Sequence, residues 1–306
     1  MLVGELEKLG VSLRELRRRA DLEVHERVDL RAWTSLGVGG LANVVMRCHS
    51  EDAVQESLDL AAAHGLAWVT LGGGSRLVPP DRGIGVPVLS LTGTLGRWEL
   101  ELDGLVAGAG ANLAQVCRAA SRNGLDGLDK LGDGDHSIGG IARAAAAGAL
   151  DAEGVFDWVE FRCPGGGSRR WRAADGSWTP VLSDFRRRVV TAVRFALRPV
   201  GLADVQPRMV RGPGRPGQRA TAPVFLDAED ARATDLLAEA GCCGMTVGGV
   251  RLGVVDPNEL VAGRSATSTD VLQLCRGARD QVLKATGIEL RSVLVFIDDG
   301  GRELAL

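Results

Sequence analysis

The chain has 306 residues, 45% of them hydrophobic and 25% charged, enough to bury a core and to form two domains. A formal net charge of -3 gives no electrostatic case for a nucleic-acid surface. Aromatic residues reach only 4%, with no Tyr, which argues against recognition of bases or sugars mainly by stacking. No stretch approaches the roughly 18 consecutive apolar residues of a membrane span. The first residues, with Glu5, Glu7 and Lys8, lack a signal-peptide core, so a cytoplasmic location is expected. Cys48, Cys117, Cys163, Cys242, Cys243 and Cys275 form no C-x-x-C pair, and buried free thiols are expected.

Residues 1–29 read as a helical appendage. Ser12 and Glu15 have the spacing of a capping box, Leu13, Leu16 and Ala20 share a face, and Arg14, Arg18 and Arg19 point away from it. Residues 30–199 read as one domain. Its strands are expected at 42–46, 67–71, 86–91, 98–102, 105–109, 155–162, 168–172 and 189–197, in a mainly antiparallel set. Two helices start at the caps Ser50 and Asn112 and stop at Gly65 and Gly124. Residues 200–219 are a Gly-, Pro- and Arg-rich connection. Residues 220–306 read as a smaller α+β domain. It has strands at 224–226, 250–255 and 293–297, a helix stopping at Gly241 and a long helix stopping at Gly287.

Two glycine segments carry the chemical signal. Leu71-Gly72-Gly73-Gly74-Ser75-Arg76-Leu77 follows a strand, and its glycines permit dihedrals that aim backbone N–H groups at an anion. Ser75 adds a hydroxyl and Arg76 a charge. The segment is neither G-x-G-x-x-G nor a P-loop, and a simple tight turn is an equal alternative. The second segment runs from Gly132 through Asp133, Gly134, Asp135 and His136 to Ser137-Ile138-Gly139-Gly140, followed by an alanine-rich stretch. It fits a phosphate or ring edge, or a tightly packed core of small residues. Asp133, Asp135 and His136 complete no metal-ligand spacing, so no metal is expected.

At these loops the chain resembles the UDP-N-acetylenolpyruvoylglucosamine reductase (MurB-type) family. Residues 34–42, Thr-Ser-Leu-Gly-Val-Gly-Gly-Leu-Ala, are similar to the family's NT-x-x-x-GG-x-A. Residues 71–78 resemble LGGGSNLL and are followed by Asp81-Arg82-Gly83. Residues 107–110, 124–129 and 137–140 fall in the order of AGAG, GLSGLE and SVGG. The likeness spans roughly residues 30 to 297. It implies an α+β fold whose two-part, PCMH-like domain binds FAD non-covalently, followed by a smaller substrate domain. It also implies FAD contacts from Leu71, Gly72, Gly73, Gly74, Ser75, Arg76, Leu77, Gly110, Ser137, Ile138, Gly139 and Gly140, with NADPH (or NADH) as reductant.

The departures fall on the chemistry. The family's proton-donating Ser matches Pro223, its substrate-binding Arg matches Val181 in a segment that keeps Ser183 and Phe185, and its Glu matches Val293. The expected function is therefore an FAD-dependent oxidoreductase acting on a small or nucleotide-linked substrate other than the UDP-enolpyruvyl sugar. The alternative is a non-catalytic protein that binds a ligand or a protein partner. Replacement catalytic groups are sought in His136 and Asp135, with Arg143 as an anion holder.

Overall fold

The structure is a computed structural model that describes residues 13–14, 16–131, 136–148, 150, 154–176, 187–201, 219–221 and 223–306. The Ser12–Glu15 capping box, Asp133, Asp135 and the segments 177–186 and 202–218 lie outside the described residues. Among the described residues no helix is long and apolar enough to cross a membrane.

A four-stranded sheet runs in the order Leu22–Asp29, Leu41–Cys48, Val88–Leu91, Val69–Leu71. Val88–Leu91 pairs in parallel with both Leu41–Cys48 and Val69–Leu71, so this part of the molecule is not antiparallel as expected. The cause is the helix α1, Glu51–Ala63, which carries the chain from the end of one strand back to the start of another, as a parallel connection requires. Ser50 Oγ accepts the Ala53 N–H at 3.1 Å, Glu51 and Asp52 complement the positive helix end, and Val54, Leu58 and Ala61 are buried.

Leu22–Asp29 corrects the reading of residues 1–29 as helical. It is an edge strand, and most of its residues are exposed or half-buried, so charged Glu23, Glu26 and Asp29 mask any alternation. Arg19, expected to point away from the apolar face, forms ion pairs with Asp21 and Glu56. Its Nε and Nη2 donate to the two oxygens of Asp21, each at 2.8 Å, and its Nη1 bonds Glu56.

Contacts divide the chain into two compact units, one of residues 1–26, 44–73 and 86–211, the other of 27–43, 74–85 and 212–306. The first contains an antiparallel five-stranded sheet ordered Gly167–Arg172, Phe156–Cys163, Val189–Ala196, Gly104–Gly108, Trp98–Glu101. Its helices α2, Leu113–Arg122, and α3, Ile138–Ala146, bury Val116 and Cys117 and Ile138, Ile141 and Ala142 in the same core cluster.

The second unit joins segments far apart in sequence. Leu77–Val78 pairs in parallel with Val295–Ile297, which pairs antiparallel with Glu303–Leu304. A four-stranded antiparallel sheet is ordered Arg219–Thr221, Leu260–Ala262, Val250–Leu252, Thr246–Val247. The helices α4, Ala233–Glu239, and α5, Ser268–Thr286, pack with Val224, Phe225 and Phe296 in the core of this unit. Thr267 and Asp270 form a capping box at the start of α5, and Gly287 ends it at φ 75°. Asp81 accepts the Ser268 and Thr269 N–H groups at 2.7 and 2.9 Å, satisfying two further donors of that helix end. The expected strand at 224–226 is absent; Phe225 makes a single bridge to Ser292.

Candidate cofactor and active site

In the first unit the two glycine segments meet. A Cβ on Gly72 would fall 2.0 Å from Ser137 Oγ, so a side chain there would have to displace the Ser137 hydroxyl. Gly72 and Gly73 are exposed, and their N–H groups donate to nothing among the described residues; the same holds for the N–H of Gly74, the first residue of the adjoining stretch of the second unit. Successive free backbone donors of this kind form a concavity suited to an anion. Gly74 has φ +67°, and a Cβ there would lie 2.0 Å from the Trp33 carbonyl oxygen. Ser35 N–H donates to Gly74 O at 2.9 Å, so the segment beginning at Thr34 braces the loop.

The second glycine segment is built differently. Ser137 caps α3, its Oγ accepting the Gly140 N–H at 3.2 Å. Ile138 and Gly139 donate to Ala111 O and Ala109 O, and Ile141 donates to Ser137 O. The first-turn donors of α3 are therefore engaged. A Cβ on Gly139 would lie 3.0 Å from Ala109 Cβ, and one on Gly110 would lie 2.2 Å from Leu91 O. Gly110 also donates its N–H to Leu95 O at 2.8 Å. Here glycine permits close packing that fixes the Ser137 hydroxyl beside Gly72. Leu71 ends a strand with its side chain buried, and Leu77 begins the short strand after the loop.

His136 is 6% exposed, and its carbonyl accepts the Leu113 N–H at 2.8 Å. Arg143 lies in α3, and burial lowers its pKa from the usual guanidinium value. The structure thus places both in the first unit, with His136 directly before the cap of α3.

The second unit brings together two positions that the sequence singled out. Val293 N–H donates to Val224 O at 2.8 Å, and Leu226 N–H donates to Arg291 O at 2.9 Å, placing Pro223 and Val293 on neighbouring segments. Asn258, which sequence reasoning missed, holds this geometry. Its buried Oδ1 accepts the Val224 and Phe225 N–H groups at 3.1 and 2.8 Å, and its Nδ2 donates to Phe225 O at 2.9 Å. Val293 and Val224 are buried and apolar. Neither side chain can donate a proton or bind a carboxylate. Arg76 is also in this unit, with Nε and Nη1 buried and donating to nothing among the described residues. Burial alone drives its pKa down to about 10.

Comparison with known proteins places this architecture. Residues 42–160 match the FAD binding domain family, and residues 214–297 match the UDP-N-acetylenolpyruvoylglucosamine reductase C-terminal domain. The UDP-N-acetylenolpyruvoylglucosamine reductase of Rhodopirellula baltica is 31% identical over 88% of this chain and 90% of its own. That of Acidiphilium cryptum is 32% identical over 91% of each. The crystal structure of the reductase from Thermus caldophilus shares the fold at a TM-score of 0.68 and 23% identity, covering 90% of this chain and 99% of its own. With an FAD-binding domain followed by a smaller α+β domain, the chain belongs to the UDP-N-acetylenolpyruvoylglucosamine reductase family.

Proposed function

We propose that this chain is a flavin-dependent oxidoreductase that binds FAD non-covalently and has lost the reduction of the UDP-enolpyruvyl sugar. The observation that carries this reading is the Val293–Val224 backbone bond, which sets Pro223 and Val293 on neighbouring segments at the positions where the family motif has Ser and Glu. The residues present fit the cofactor: the free donors of Gly72, Gly73 and Gly74 suit its diphosphate, and the absence of a side chain at Gly72 keeps that approach open. Bound FAD supplies hydride transfer between a nicotinamide, NADPH or NADH, and an organic substrate.

The chain's own groups orient and exclude. Val224 and Phe225 belong to the apolar core of the second unit, Val293 is buried, and Pro223 has neither hydroxyl nor N–H. Proton transfer must then come from another group. His136, with Asp135 and Arg143, is the proposed replacement set; the burial of His136 makes its proton exchange depend on a local partner rather than on open water. The substrate is a small or nucleotide-linked molecule, and the reaction runs in the cytoplasm.

Flavin absorption of the purified full chain tests the first part. Denaturation and filtration should release the chromophore, and flavin retained on the unfolded chain contradicts non-covalent binding. Gly72→Val should weaken FAD binding at least tenfold, because the side chain collides with Ser137. His136→Gln should lower turnover of an identified substrate without loss of flavin; unaltered turnover from about pH 5 to 9 removes His136 from the reaction. A second reading, a ligand- or partner-binding protein without turnover, is favoured by the loss of reactive groups at Pro223 and Val293. A colourless preparation that refuses added FAD selects it.

A further inference from the structure

Arg76 stands where the family motif LGGGSNLL has a neutral Asn. Among the described residues the charge has no counterpart. Nε and Nη1 are buried without an acceptor among the described residues, and no carboxylate contributes to its shifted titration. Arg76 as a whole is only half-buried, so part of its side chain reaches the surface. A cation desolvated in this way is unfavourable by itself and is normally matched by a partner of opposite charge.

The backbone around Arg76 is fixed. Val295 N–H donates to Arg76 O at 2.8 Å, and Thr221 Oγ1 donates to Ser75 O at 3.1 Å. These bonds tie Arg76 to the two segments that carry Val293 and Pro223, the positions stripped of polar side chains. The unit has therefore lost a hydroxyl and a carboxylate at two positions and gained a guanidinium at a third. The N–H of Gly74, also unengaged, lies two residues before it in the same loop.

We infer that Arg76 is an oxyanion anchor, holding a phosphate or carboxylate group of a bound ligand through its guanidinium. Two sources have this chemistry: the diphosphate of the cofactor, and an acidic group on the substrate. Only the first rests on the flavin reading above. Guanidinium geometry favours a planar or tetrahedral oxyanion over a neutral partner, and a Lys at the same place retains charge but not the two-pronged contact.

The test uses the full chain and the variants Arg76→Met, Arg76→Asn and Arg76→Lys, stripped of any flavin and confirmed as folded by circular dichroism. Thermal melting is followed with inorganic pyrophosphate and with oxalate, each against potassium chloride of equal ionic strength. FAD and riboflavin affinities are measured by fluorescence. Wild type should melt several degrees higher with pyrophosphate or oxalate, with the shift abolished in the Met and Asn variants and partly kept in the Lys variant. A fall of at least tenfold in FAD affinity, with riboflavin affinity unchanged within twofold, assigns the anion to the cofactor diphosphate. Unchanged FAD affinity with loss of the oxalate or pyrophosphate shift assigns it to the substrate. If wild type binds no flavin but shows an Arg76-dependent anion shift, the anchor stands and the flavin reading falls. If the variants match wild type in both anion shift and FAD affinity, the anchor is overturned; so it is if wild type shows neither an anion shift nor an effect of Arg76 on flavin binding. Should the Met variant not fold, the Asn variant, which restores the family residue, decides the same outcomes.

Discussion

The glycine loop and the Pro223–Val293 neighbourhood show two ways of storing function in a chain. At Gly72–Gly74 the proposed anion contacts belong to backbone N–H groups, and the side chain matters only by being absent. At Pro223 and Val293 the backbone frame is hydrogen-bonded, but on the proposed reading the family's chemistry belongs to side chains that these positions do not carry. A backbone site cannot be lost without disturbing the turn that makes it. A side-chain site can vanish while its frame persists.

The largest effect that would break this contrast concerns turnover. Reduction of the UDP-enolpyruvyl sugar, followed as NADPH consumption coupled to product, should fall short of an ordinary enzyme by about 10²–10⁴-fold or more for the missing proton donor alone. A catalytic efficiency of about 10⁴ M⁻¹s⁻¹ or above would show that the frame suffices without the side chains. Next in size is the frame itself. Asn258→Ala should cost about 2–4 kcal/mol in chemical denaturation, because it leaves the Phe225 N–H and C=O buried without Asn258 and weakens the Val224 contact. A loss under about 0.5 kcal/mol would mean the segment is held by its neighbours alone.

On the loop side, Gly74→Ala should destabilise by about 2–3 kcal/mol, since it combines φ +67° with a collision at the Trp33 carbonyl. Equal stability would show that the turn relaxes freely, contrary to a backbone-fixed site. The smallest effect sharpens the contrast from within the first unit. The Arg19 guanidinium, and after it the Ser50 hydroxyl, hold the Asp21 carboxyl down to about 2. A folded pKa below the unfolded one makes the unfolded state bind more protons, so this stabilisation is complete above about pH 4 and is lost as pH falls toward about 2. Asp21→Asn should therefore cost about 1 kcal/mol at neutral pH, a figure reduced for the partial exposure of the pair. The difference from wild type should close at about pH 2 in acid-titrated melts. A pH-independent difference would assign the effect to packing.

What the sequence disclosed follows from how local each signal is. Ser50, Asn112 and Gly287 act on atoms within a few residues, and each sits at the helix end where its side chain or its dihedral freedom is used. The meeting of Gly72 with Ser137 was expected only through family resemblance, because nothing in spacing alone brings two loops 65 residues apart together. Leu22–Asp29 escaped because an edge strand keeps charges outward and shows little alternation. The grouping of 27–43 and 74–85 with the C-terminal residues escaped because two-residue pairings such as Leu77–Val78 with Val295 and Phe296 leave no periodic trace. Asn258 was invisible for a related reason: its role is to imitate a strand partner for residues more than thirty positions earlier.

Asn258 also explains how a proline came to stand at position 223 at so little structural cost. The amide side chain bonds the two residues after it, so no hydrogen bond of that frame asks for the N–H that proline lacks. On the proposed reading, Pro in place of the motif's Ser removes a hydroxyl without removing any of these bonds. The frame thus tolerates exchange of the side chain at position 223, because its bonds are made by Asn258 and by the backbone that follows.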